Sequence, residues 1–346
     1  MKTIKEQYYT MNKKICLFPI MVIILLISTL ITISIGSVPI PLGTTVKILI
    51  DQLPVVDIDR TWNSIQEDII LSLRLPRVFL AMIVGAMLGT AGIAFQGVLR
   101  NPLADPYILG VSSGAAVGAA GAILFINPSS FLANAAIPLF AFLGAILSLL
   151  MVFGIAWQRK RDTVSLILAG VVVQSFLGAV LSFTITISGT KLRTIVFWMM
   201  GSLAATNWRE VLFLIPYLVF GFLLIYAFYR NLNILSLGEQ AAQHLGMNVE
   251  GIRVILLVAA SLLSAAAVSV VGIIGFVGLI VPHIIRLLVG PDHKVLIPAS
   301  CLAGAIFLLW SDTIARTVIP SMEIPIGVIT ALAGAPFFGY LLKKKV

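Results

Sequence analysis

The chain has 346 residues, of which 60% are hydrophobic and 11% charged, and its mean hydropathy is +1.09. No soluble fold of this length hides so much apolar surface, so a water-soluble enzyme or a nucleic-acid-binding domain is excluded and a polytopic membrane protein remains. The formal net charge of +9 then reflects topology, not affinity for nucleic acid.

Residues 1–14 read as a polar cytoplasmic tail, and residues 15–346 as a single transmembrane domain. A hydrocarbon core about 30 Å thick asks for about 20 apolar residues per helix. Such runs recur at 15–36, 76–98, 108–126, 135–158, 163–187, 209–229, 253–272, 275–289, 295–313 and 324–342. They are too long and continuous for the alternating strands of a membrane barrel. The expectation is an all-α polytopic membrane protein with about ten transmembrane helices. No small-residue cleavage site follows the first run, so it reads as an uncleaved helix.

Placing both termini in the cytoplasm puts Lys2, Lys5, Lys13, Lys14, Arg100, Arg159, Lys160, Arg161, Arg230, Arg253, Arg286, Lys294 and Lys343 to Lys345 on the inner side. The outer side then carries fewer cations, as the positive-inside rule requires. Segment 37–75, external in this topology, holds Asp51, Asp57, Asp59, Glu67 and Asp68 among apolar residues at helical spacing and predicts short helices along the outer surface. Cys16 and Cys301 fall in or beside separate runs and suggest neither a disulfide framework nor a metal site.

Two faces break the apolar pattern. Gly110, Gly114 and Gly118 make a small-residue seam that predicts close helix packing, with Ser112 and Ser113 beside it. In the fifth run Gly170, Gln174, Gly178, Ser182, Thr186 and Thr190 recur every four residues and share one side. That side is either another packing seam, with Gln174 bonded across it, or the lining of a passage. Before it, Asn101-Pro102-Leu103-Ala104-Asp105-Pro106 combines two fixed φ angles with turn-forming side chains and predicts a rigid turn.

Energy for transport has no source in this chain. It lacks the G-x-x-x-x-G-K-[ST] phosphate loop and any Gly-Lys pair, so it is not an ATPase. Ion-coupled carriers bury ionisable groups at mid-membrane, and these runs hold almost none, Asp312 lying near an outer end. An ion-coupled secondary transporter is the weaker alternative. Segment 230–251, the longest internal cytoplasmic stretch, offers a docking surface for an energising partner. Ser236-Leu237-Gly238-Glu239 fits a capping box, Leu237, Ala241 and Leu245 recur at spacing four, and Gly246 suits a helix stop. A helix lying on the membrane surface is the competing reading. Arg74, Arg77 and Arg316 stand at outer helix ends, where snorkelling anchors are ordinary, and Arg209 beside Trp208 reads as such an anchor. His283 and His293 flank Arg286 and Asp292 without the i, i+4 spacing of a zinc site or the members of a nucleophilic triad.

Leu73-Arg74-Leu75-Pro76-Arg77, Asn101 to Pro106 and Gly110-Val111-Ser112-Ser113-Gly114-Ala115 together resemble the FecCD-type permeases. So do Trp198-Met199-Met200-Gly201, Leu237-Gly238-Glu239, Gly275 to His283, Leu296 to Pro298 and Ile324-Pro325-Ile326-Gly327, a likeness covering nearly everything from Arg74 onward. These are membrane subunits of ABC importers for iron–siderophore complexes, haem and cobalamin. The resemblance implies a permease that is not itself an enzyme and binds no cofactor or metal, with ATP held by cytoplasmic ABC ATPase subunits. It implies a second permease, identical or homologous, and an extracytoplasmic substrate-binding protein. Leu237, Gly238, Glu239, Ala241, Leu245 and Gly246 would form the ATPase-coupling element, although His244 stands where many relatives carry Gln or Arg. Arg74, Arg77 and Arg316 would dock the binding protein, their planar forks suiting its carboxylates. Asn101, Leu103, Asp162 and Thr163 would form the cytoplasmic gate, the last two on a loose match. Gln174, Gly178, Ser182 and Thr186 would line the pathway. An iron(III)–siderophore complex is the expected cargo, with cobalamin or haem as alternatives.

Overall fold

The computed structural model describes residues 4–53, 59–126, 133–156, 163–204, 206–319 and 322–345. In chain order its helices are α1 (Ile4–Ser34), α2 (Leu42–Asp51), α3 (Ser64–Asp68), α4 (Leu75–Val98), α5 (Val111–Phe125), α6 (Ala133–Ala156), α7 (Thr163–Thr186), α8 (Leu192–Met199), α9 (Trp208–Ala227), α10 (Tyr229–Leu235), α11 (Glu239–His244), α12 (Val249–Val271), α13 (Val277–Val289), α14 (His293–Thr317) and α15 (Ile326–Lys345). Every predicted run is helical over most of its described residues. Short helices α2 and α3 and a π-helical turn, Ile69–Arg74, occupy the expected outer segment.

Among the described residues, seven stretches are long and apolar enough to cross a membrane, and α5, α13 and part of α15 are shorter apolar helices. At about 1.5 Å per residue, the 15 residues of α5 and 13 of α13 fall short of a bilayer core of about 30 Å. The missing length is irregular chain that runs back into the bundle: the turn before α5 and the reversal between α12 and α13. Irregular backbone at such depth must have its polar groups satisfied inside the protein. Tyr107 Oη accordingly donates to Ile274 O at 2.9 Å, and Ser148 Oγ to Gly110 O at 2.8 Å. Helix α13 runs through Pro282 and His283 to Val289.

Helix α4 lies at the centre and is buried on almost every face, enclosed by α9, α12, α13 and α14. Lipid tails are as apolar as leucine, so this packing rests on close contact and not on apolar surface leaving water. Glycines make the contact possible. A Cβ on Gly85 would overlap the Gly304 carbonyl, and one on Gly92 the Gly278 carbonyl. The predicted Gly114 and Gly118 seam is the same device between α5 and α6, where Cβ atoms would strike the carbonyls of Gly144 and Phe140. At the far end of α4, Gln96 donates to Leu279 O at 3.0 Å and accepts from Arg286 Nη1 at 3.0 Å, which ties α4 to α13. By contrast α7 and α9 expose most of their length.

Candidate functional site

Helix α11 is built differently from the expected capping box. Ser236 Oγ donates backward to Asn233 O at 2.6 Å, closing α10, and the N-cap of α11 is Gly238. Glu239, the first helical residue, turns its carboxylate inward to the guanidinium of Arg253 on α12. Its Oε1 also accepts from Thr163 Oγ1 at 3.3 Å. Gly238 has φ 119° and ψ 151°, a region that only glycine occupies without strain. The stop is as expected: Gly246 is left-handed at φ 78°, with Gly246 N–H on Gln243 O at 2.9 Å and Met247 N–H on Ala242 O at 3.1 Å. Ala242 packs inward with Leu235 and Val249, and Ala241 is half-buried. Leu237 and Leu245 are 69% and 65% exposed, so the short helix shows an apolar edge.

The turn before α5 sits at the same end. Asn101 Oδ1 accepts from Leu103 N–H at 2.9 Å, Ala104 N–H donates to Asn101 O at 3.0 Å, and Asp105 Oδ1 accepts from Tyr107 N–H at 2.8 Å. These side-chain turns fix the rigid hairpin foreseen from its prolines. Leu103 projects at its tip, 46% exposed. Burial pushes the Asp105 carboxyl up to about 6, the bond from Tyr107 N–H opposing that shift. The Arg100 guanidinium lies beside Gly238, and Thr163 is tied to α11 through Glu239. Asp162 lies outside the described residues.

The four-spaced face of α7 divides into two. Gly170 is buried against the carbonyl of Ile108, and Gln174 Nε2 donates to Tyr107 O at 3.1 Å and Ile108 O at 2.8 Å. Gln174 therefore satisfies the backbone of the turn before α5. Gly178 has open space where a Cβ would stand, and Ser182 and Thr186 are exposed. Both hydroxyls donate to carbonyls four residues back, at 2.9 Å each, and so leave only acceptor lone pairs facing outward. Beyond α7 an open apolar groove of about 570 Å³ lies between α8, the α12–α13 reversal and α15, lined by Met199, Met200, Phe276, Val328 and Leu332.

The opposite end holds the three arginines in internal work. A helix end leaves its last carbonyls without partners, and here guanidinium groups supply them for α1. Arg74 Nη1 donates to Ile33 O at 2.8 Å and Ser34 O at 2.9 Å, its Nη2 to Val38 O, and Arg316 Nη2 to Thr32 O. Both are buried. Arg77 forks onto Asp312, Nε 3.1 Å from each oxygen and Nη2 2.9 Å from Oδ1. It also meets Glu323, Nη1 to Oε1 at 2.9 Å and Nη2 to Oε2 at 3.1 Å. Arg316 Nε stands 3.7 Å from Asp312. Arg74 and Arg316 thus spend guanidinium donors on the end of α1; this capping of α1 was not foreseen. Trp208 Nε1 donates to Leu71 O at 3.3 Å, so the Trp208–Arg209 corner is anchored to the outer segment. Among the described residues no three His, Cys, Asp or Glu side chains are grouped as metal ligands.

Residues 24–344 match the FecCD transport family. The chain belongs to that family. It is 42% identical to the cobalamin import system permease protein BtuC of Halobacterium salinarum, over 90% of this chain and 87% of that protein. It is 39% identical to the Fe(3+)-citrate import system permease protein YfmE of Bacillus subtilis, over 94% and 93%. With the hemin transport system permease protein HmuU of Yersinia pestis the identity is 38%, over 82% and 87%. An inward-facing structure of a metal-chelate type ABC transporter superposes with a TM-score of 0.80 at 36% identity, covering 94% of this chain and 97% of that one. This FecCD chain is therefore a multi-pass protein of the cytoplasmic membrane and an ABC importer permease. The ion-coupled alternative falls with that membership.

Proposed function

We propose that this chain is the permease subunit of an ATP-driven importer for an iron(III)–siderophore complex. The observation that carries the reading is the open half of α7: Gly178, Ser182 and Thr186 form a surface without charge and without free donors. Such a surface lets a bulky chelate pass and gives it nothing to bind tightly, and the chelate brings its own iron ligands. A corrinoid is the second reading, favoured by the 42% identity to a cobalamin permease.

The α11 end faces the cytoplasm in this reading, with both termini. Two cytoplasmic ATPases supply the energy, one seated on the edge formed by Leu237, Ala241 and Leu245, where Gly238 and Gly246 shape the chain and Glu239 holds it from behind. No cofactor is needed in the permease itself. Asn101, Leu103 and Thr163, with Asp162, gate the inner mouth. A second permease copy packs on the apolar groove between α8 and α15 and walls the open face of α7. The extracytoplasmic binding protein docks on the arginine end, and the contact falls to Arg77, because its second partner Glu323 is half exposed and can yield to an incoming carboxylate. Arg74 and Arg316 join that contact only in competition with the α1 carbonyls they already hold.

Uptake of radiolabelled ferric siderophores and radiolabelled cobalamin in cells with and without the gene tests the cargo. Loss of iron uptake alone supports the siderophore reading. Loss of cobalamin uptake alone replaces it with the corrinoid.

A further inference from the structure

Besides the apolar contact of Ala242 with Leu235 and Val249, segment 230–251 is held by two polar fastenings that differ in kind. On the first, Asn233 of α10 is fastened to the start of α14: its Nδ2 donates to Asp292 Oδ1 at 2.8 Å, and its Oδ1 accepts from His293 N–H at 2.9 Å and lies 2.8 Å from His293 Nδ1. Helix α14 packs along the buried α4, so α10 is fixed to the scaffold. On the second, α11 is fastened through one carboxylate oxygen, Glu239 Oε1, to Arg253 of α12 and Thr163 of α7. Between the two fastenings stands Gly238, with a backbone conformation closed to other residues.

We propose that Glu239 is the joint through which α11 acts on the passage, passing movement of α11 to the start of α7 by way of Thr163 while Arg253 orients the carboxylate. The chemistry fits that task. Arg253 is buried and Glu239 about one-third exposed, so the ion pair is desolvated on one side only, strong enough to transmit force and wet enough to re-form. Thr163 is the first residue of the helix whose further turns carry Gly178, Ser182 and Thr186, so a pull there reaches the passage along one rigid rod. Glu239 is a positioning residue here and no part of the partner contact. This inference rests on α11 being the ATPase seat.

The test uses the permease purified with its bound ATPase in proteoliposomes, reading cargo moved per ATP hydrolysed, with ferric citrate and cobalamin as the probes. Glu239→Gln keeps the bond to Thr163 but weakens the hold of Arg253, and the expected result is a fall of about tenfold in cargo per ATP with the ATPase still co-purifying. The charge swap Glu239→Arg with Arg253→Glu is expected to recover about threefold over Arg253→Glu alone, and Thr163→Val to cost about threefold. Melting temperature of each complex is read alongside, because a purely structural pair would lower it and leave the ratio alone. An unchanged ratio in Glu239→Gln overturns the joint. If Leu237→Asp leaves the ATPase bound, the seat itself is wrong, and that failure is distinct from the first.

Discussion

The two ends of the bundle handle charge in opposite ways. At the arginine end, Arg74, Arg77 and Arg316 find their partners within the chain, in three carbonyls of α1, the carbonyl of Val38 and two carboxylates. At the α11 end one carboxylate serves two helices, a glycine sits between the fastenings, and two leucines are left in the open. The first arrangement is complete in one chain and resists change. The second leaves an apolar edge uncovered, the edge proposed above as the partner's seat. Rigidity and readiness are thus assigned to different membrane surfaces by the number of partners each charged group is given.

The largest effect is expected from removing the hub of the complete end. Asp312→Ala leaves Arg77 and Arg316 buried beside a missing carboxylate, a loss of about 3–5 kcal/mol, which should appear as a collapse of folded yield and melting temperature in detergent. A stable Asp312→Ala protein would break the contrast between the ends. Next, Leu237→Asp should abolish co-purification of the ATPase and reduce uptake by more than about tenfold while moving stability by no more than about 0.5 kcal/mol. Melting and pull-down on the same preparation separate those two outcomes.

A smaller effect distinguishes the gate turn. Asp105, raised from an ordinary value of 3.8 to about 6 by burial, binds its proton more tightly in the fold than in the unfolded chain. Its contribution to stability is therefore full below about pH 4 and lost as pH rises through about 6. The protein should melt higher at pH 5 than at pH 8, and Asp105→Asn, which keeps an acceptor for Tyr107 N–H, should flatten that difference. An equal slope in the variant would remove Asp105 from the account. The smallest effect belongs to Arg60, which reaches Asp51 at 3.1 Å from an exposed position; Arg60→Ala should cost less than about 1 kcal/mol. A larger loss would mean that charge near this surface is held tightly even outside the buried cluster.

Elements were legible in the sequence where the signal is local. The ten apolar runs, the short outer helices, the glycine seam at Gly114 and Gly118, the turn at 101–106 and the stop at Gly246 all follow from spacing or from turn chemistry. What stayed hidden is long-range. Ser236 and Glu239 have the spacing of a capping box, but Glu239 prefers a buried guanidinium fourteen residues on, and burial outweighs the local cap. Gln174 shares a face with Ser182, yet its amide serves carbonyls of a turn more than sixty residues earlier. Arg74 and Arg77 look alike as outer cations; only the folded chain shows that one caps α1 and the other bridges to α14.

The enclosure of α4 also bears on how such chains diverge. Added methyl groups at Gly85 or Gly92 would collide with backbone, whereas exchanges at Gly178, Ser182 or Thr186 disturb no packed neighbour. If α7 lines the passage as proposed, scaffold and passage are written on different helices, and mutation can explore new cargoes without first repairing the architecture. Relatives named for cobalamin, Fe(3+)-citrate and hemin, at 38% to 42% identity with this chain, are the kind of radiation that such a division allows.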